Sequence, residues 1–170
     1  MKILSTGRIH MRWLTDEDSE FIIQLLNSKS FLDNVGDRGV RNTEDAMMYI
    51  KKMRDNYETQ GFGFYLVESH SGEKMGISGI IHRAGLSHPD IGFAFLPDYW
   101  GKGLALESAM AVKKLAENDL GMKKILAIVS PGNISSKKLL EKLSLRFDKL
   151  LRLTPDDGEV ELYVWEKISV

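Results

Sequence analysis

Cysteine is absent from this 170-residue chain. That excludes disulfides, zinc thiolate sites, iron–sulfur clusters and a cysteine nucleophile. Proline is scarce, with four residues, and no Pro/Ser linker, internal repeat or low-complexity tract marks a boundary. A single domain over residues 1–170 is therefore expected. No apolar run approaches the roughly 18 residues of a membrane span, and the early stretch MKILSTGRIHMRW is too short an apolar run for a signal peptide. Neither sign of charge is in excess: 23 Lys and Arg against 24 Asp and Glu leave −1. That balance argues against nucleic acid or an anionic membrane as a partner. The four histidines, His10, His70, His82 and His88, lack metal-ligand spacing, so no metal is expected, and His82 reads as structural. What is present is 43% apolar and 28% charged residues, the mixture of a globular protein with one sizeable core. A cytoplasmic enzyme or binding domain is expected.

Periodicity supplies the elements. Ile9, Met11 and Trp13 alternate with His10 and Arg12 as a first strand, and Thr15 offers an N-cap before acidic Asp16, Glu17 and Asp18. Phe21, Ile22, Leu25 and Leu26 give helical spacing to near Ser30, and Asp33 to Asn42 reads as a loop. Thr43 is expected to cap a second helix to about Tyr57, with Met47, Ile50, Met53 and Arg54 along one flank. GFGFYLVES and MGISGIIHR around HSGEK read as a hairpin, and IGFAFLP as a further strand stopped at Pro97. Helical spacing resumes from Gly103 to Leu120, KILAIV at Lys124 to Val129 reads as a buried strand, and Asn133 to Leu143 is helical. Two last strands flank the turn at Pro155 to Gly158. The order is β-α-α-β-β-β-α-β-α-β-β. This is a mixed α/β (α+β) fold, with a central sheet of about seven strands and about four helices.

The segment from Ile91 to Val112 carries the chemistry. A strand runs into a glycine turn that opens directly into a helix, leaving backbone N–H groups unpaired at the positive end of the helix dipole. Gly101 and Gly103 remove Cβ atoms, so an anion can approach the backbone. A phosphate or pyrophosphate suits such a place. A Walker loop is excluded because Leu104 follows Gly103, and a Rossmann fingerprint fails because Leu106 stands at its third glycine.

Trp100-Gly101-Lys102-Gly103-Leu104-Ala105 resembles the Q/R-x-x-G-x-G/A signature of the GNAT superfamily of acetyl-CoA-dependent N-acetyltransferases. Trp100 stands at the Q/R position, as in the branch resembling the RimJ/RimL ribosomal-protein acetyltransferases. NISSKKLLEKLSLRF, Asn133 to Phe147, is similar to the family block N-x-x-S-x-x-L-L-E-K-L-G-F, with Ser144 and Leu145 where Gly-Phe is usual. The element order agrees with the family's over nearly the whole chain.

The resemblance implies direct transfer of acetyl from a thioester to a primary amine, on a small molecule or a protein N-terminus. Acetyl-CoA is the implied cosubstrate, with no metal. Trp100, Gly101, Lys102, Gly103, Leu104 and Ala105 would hold the pyrophosphate. Phe93, Ala94 and Phe95 would offer backbone to the pantetheine arm. Asn133 and Lys138 would complete the cofactor contacts, with Lys137 and Lys138 both within the implied reach of the ribose 3′-phosphate. Many relatives place an acidic Tyr at the position of Leu140, so Ser136 is the implied proton donor to the thiolate. Asp90 is the implied base, acting through a water. Asp37, Arg38 and Arg41 are implied on the acceptor side. The alternative is an acyl-CoA-binding module without catalysis, on the same fold. Monomer and homodimer both stay open.

Overall fold

The computed structural model describes residues 2–168. Its first hairpin joins β1 (Lys2–Ser5) to β2 (Ile9–Arg12), and β1 is a strand that the alternation around Ile9 does not announce. Ile9 and Met11 are buried, while His10 and Arg12 are half-exposed. A short 3₁₀ turn over Asp16–Asp18 leads into α1 (Ser19–Leu26). The helix expected to run to Ser30 stops at Asn27, whose side-chain amide donates to both Ile23 O and Val40 O at 2.7 Å. Ser28 then caps α2 (Lys29–Asn34) by accepting from Phe31 N. Part of the expected loop is thus a helix of its own.

Asn42 caps α3 (Thr43–Gln60), accepting from Asp45 N at 2.8 Å. Its buried stripe is Ala46, Ile50, Met53 and Tyr57; Met47 and Arg54, expected on that flank, are exposed. The helix ends at Gly61, whose φ of +84° continues the chain in the left-handed region that favours glycine. Strands β3 (Phe64–Ser69), β4 (Lys74–Ile81) and β5 (Asp90–Phe95) follow as an antiparallel meander. Then come α4 (Leu104–Asn118), β6 (Lys124–Val129), α5 (Ile134–Lys142), β7 (Arg146–Leu151) and β8 (Val160–Glu166).

The eight strands form one sheet in the order β1-β2-β3-β4-β5-β6-β8-β7. Its mixed architecture is as read from the sequence, with one strand and one helix more. All neighbours are antiparallel except β5 and β6. Tyr57 of α3 stacks between Trp13 and Tyr65 at centroid distances of 4.9 and 5.3 Å. That stack fixes α3 against the first strands.

Asp18 anchors the N-terminal half. Its fully buried carboxylate meets Arg12 on two oxygens at 2.9 Å each and Lys74 at 2.7 Å. Burial pushes the carboxyl up, but hydrogen bonds from Arg12, Lys74 and the Thr15 N–H outweigh it and bring it down to about 2.

Candidate active site

Strands β5 and β6 pair at one place. Asp90 faces Leu126, and the Leu126 N–H donates to Pro89 O at 3.0 Å. Beyond it, β5 keeps pairing with β4 through Phe95, and β6 with β8 through Val129. Each strand holds its outer partner, so the two part and the sheet splits. Both then run into a helix start: β5 through the glycine loop into α4, and β6 through Pro131 and Gly132 into α5. The split opens on a cavity of about 410 Å³, lined among others by Phe93, Ala94, Ala127, Asn133 and Ser136.

The glycine loop has the geometry that an anion needs. Gly101 and Gly103 lie at φ +72° and +75°, so glycine is required by the backbone itself as well as by close approach. Nothing stands within 4 Å of a Cβ position on Gly101. No acceptor within the chain takes the N–H of Gly101, Lys102 or Gly103 among the described residues, and the first helical N–H groups of α4 have no intrahelical acceptor. Trp100 is 52% exposed and its indole N–H donates to Phe95 O at 2.9 Å, which fastens the loop to the end of β5. Lys102 is exposed over the Tyr99 ring, while Leu104 is buried and Ala105 packs against the core. These features fit a phosphate or pyrophosphate.

Asn133 caps α5, its Oδ1 accepting from Ser136 N at 3.3 Å. Ser136 Oγ has no hydrogen-bond partner among the described residues and lines the cavity. Leu140, one turn on, is buried and also lines it. Lys138 is exposed and has no ion pair among the described residues, whereas its neighbour Lys137 is held by Glu161. Phe93 and Ala94 lie on the cavity wall; Phe95 turns into the core.

Asp90 opens β5 rather than sitting in the preceding turn. It is 1% exposed, and Arg83 grips both its oxygens at 3.0 and 2.9 Å. Burial pushes its carboxyl up to about 6, against the opposing charge and hydrogen bonds of Arg83. Arg83 and Tyr49 line the same cavity, and sequence reading missed both. Burial raises the Tyr49 phenol to about 12, so it stays a donor. Only the fold brings α3 to this wall, and a tyrosine inside a helical stripe carries no separate signal. Phe64 also reaches the cavity, over the face that Gly79 and Gly92 leave bare.

Of the three residues expected on the acceptor side, Arg38 lines the cavity, with no ion pair among the described residues. Asp37 and Arg41 pair with each other at 2.5 Å, and Arg41 also donates to Asn27 Oδ1 at 2.7 Å. They brace the loop outside the cavity lining. Among the described residues no cluster of His, Asp and Glu could hold a metal ion.

A sheet split between two parallel strands, with a glycine-turned helix N-terminus following the first of them, sets a place for an anion beside a cavity. Residues 8–146 match the acetyltransferase (GNAT) domain, and the chain belongs to that family. It is 28% identical over 153 residues to the uncharacterized N-acetyltransferase YoaA of Bacillus subtilis, covering 88% of this chain and 86% of that one. The crystal structure of an acetyltransferase from Agrobacterium tumefaciens superposes with a TM-score of 0.82 at 24% identity, over 96% of this chain and 94% of that one. The ribosomal L7/L12 alpha-N-protein acetyltransferase RimL, in complex with coenzyme A, shares the fold at a TM-score of 0.83 and 15% identity, over 98% of each chain.

Proposed function

We propose that this chain moves an acetyl group from acetyl-CoA directly to a primary amine, in the manner of the RimJ/RimL-like branch and in the cytoplasm. The observation that carries the proposal is the split beyond Asp90 and Leu126, where the cavity lies and from which β5 leads into the glycine loop. The loop from Trp100 to Ala105 receives the pyrophosphate, Asn133 and Lys138 flank it, and the Phe93–Phe95 backbone guides the pantetheine arm. The acceptor enters past Arg38.

The amine nitrogen forms a bond to the thioester carbonyl carbon and the C–S bond breaks. The proton lost from the amine passes through a water to Asp90, whose raised pKa puts it close to neutral pH. Ser136, whose hydroxyl lines the cavity, protonates the departing thiolate. An α-amine, with pKa about 7.7–8.0 against about 10.4 for lysine, loses its proton with less help and is the favoured acceptor class.

Leu140 favours a second reading, an acyl-CoA-binding module without turnover, because it puts an apolar side chain where many relatives carry the acid. Titration calorimetry with acetyl-CoA, followed by CoA release against a panel of peptides and small amines, tests both. Saturable binding with CoA release is expected. No binding at high micromolar acetyl-CoA ends either reading; binding without release across the panel selects the second.

A further inference from the structure

The first hairpin ends against the glycine loop. In the β1–β2 turn, Arg8 Nη1 donates to Lys102 O at 2.8 Å and Arg8 Nε donates to Glu107 Oε1 at 2.7 Å. The Arg8 backbone N–H donates to Glu107 Oε2 at 3.0 Å, and the Thr6 hydroxyl donates to the same oxygen. Arg8 Nη2 stands 3.4 Å from the place a Cβ on Gly103 would occupy. One turn therefore grips both the loop backbone and the first turn of α4.

We propose that Arg8 is a positioning residue for the cofactor loop, setting its affinity for the phosphates of the acyl donor. The inference rests on the acetyl-CoA reading above. Two physical effects carry it. The peptide unit is planar, so fixing the Lys102 carbonyl also fixes the direction of the Gly103 N–H on its far side. Glycines at 101 and 103 would otherwise leave that plane free to turn. The second effect is charge. Glu107 places a carboxylate in the first turn of α4, where it would repel a phosphate; the Arg8 guanidinium compensates it. Thr6 holds the same carboxylate to the hairpin side.

The test compares two donors, acetyl-CoA and S-acetyl-pantetheine, which lacks the nucleotide and its phosphates. Arg8→Ala should lower the ratio of their kcat/KM values roughly tenfold, through the KM for acetyl-CoA, as expected for one lost charge-assisted hydrogen bond. Arg8→Lys, which keeps the charge beside Glu107 but not the forked geometry, should restore part of the ratio. An unchanged ratio in folded Arg8→Ala overturns the proposal, as does an equal loss with both donors, since that marks a general structural defect. NMR order parameters of the Gly103 amide, without any donor, give a separate readout: Arg8→Ala should lower the order, and unchanged order overturns the proposal. Failure of the wild-type protein to use acetyl-CoA would count against the acetyl-transfer reading, while the Gly103 amide still judges Arg8.

Discussion

Ser136 and Asp90 carry the chemistry proposed at the scale of single residues. Ser136 has a hydroxyl on the cavity wall with no hydrogen-bond partner among the described residues, and its backbone, not its side chain, makes the capping bond to Asn133. Ser136→Ala should therefore leave α5 intact and keep the affinity for acetyl-CoA. If the hydroxyl protonates the thiolate, kcat should fall by about 10², the low end for general acid help, because a thiolate is a fairly good leaving group. Full kcat with equal or higher thermal stability would assign the proton to water instead. For Asp90, the carboxyl held near 6 predicts an acid limb at about that pH in kcat/KM, with activity present above it and lost below. Asp90→Asn should abolish the limb along with most of kcat. A variant that is destabilised but keeps the limb would make Asp90 a structural partner of Arg83.

At the scale of elements, the end of α5 and the start of α4 differ in how their backbone is satisfied. The end of α5 closes with Ser144 N donating to Glu141 O and Leu145 N to Leu140 O, each at 3.0 Å. Ser144 stands there at φ +69°, the one non-glycine residue with positive φ among the described residues. A glycine would occupy that conformation without strain, so Ser144→Gly should stabilise the protein by about 1 kcal/mol. Equilibrium denaturation measures it, and an unchanged midpoint would show that the surroundings already compensate the serine. The start of α4 gives the opposite case. Gly103→Val would strain the backbone at φ +75° and place a Cβ 3.4 Å from Arg8, so stability should fall along with acetyl-CoA affinity. On the proposed reading, that glycine serves both the backbone and the phosphates. In Gly103→Asn, a residue more tolerant of this conformation, the two effects separate: fold retained, affinity reduced. Wild-type affinity in Gly103→Asn would move the phosphates elsewhere.

For the whole molecule, two buried carboxylates set opposite pH dependences. Asp18 is lowered from 3.8 to about 2, so the folded state releases its proton first. Its contribution is present above pH 3.8 and lost as the pH falls toward 2. Asp90 is raised from 3.8 to about 6, so the unfolded chain ionises first and stability declines as the pH rises across that window. These two groups together place a maximum close to pH 4. Denaturation midpoints from about pH 2 to 8 should show both limbs. Asp18→Asn should erase the lower limb and cost about 3–5 kcal/mol at neutral pH, because Arg12 and Lys74 lose a buried partner. A wild-type curve that stays flat below pH 4 would contradict the Asp18 assignment.

Local pattern was enough for the elements whose apolar spacing is clean, and for the glycine turn between β5 and α4. Those depend on periodicity, on where glycine must stand and on unpaired N–H groups at a helix start, all of which act over a few residues. The chain by itself therefore determined the mixed α/β class and the glycine turn at the start of α4. It could not show β1, a four-residue edge strand, nor the break at Asn27, which depends on the distant carbonyl of Val40. The cavity was decided by tertiary structure alone, because the parting of β5 from β6 follows from what each strand pairs with on its other side. The same holds for Arg83 against Asp90, Tyr49 on the wall, and Arg8 reaching across 94 residues to Lys102. Such meetings depend on which strands and helices lie side by side, and they exist only once the sheet has set its order.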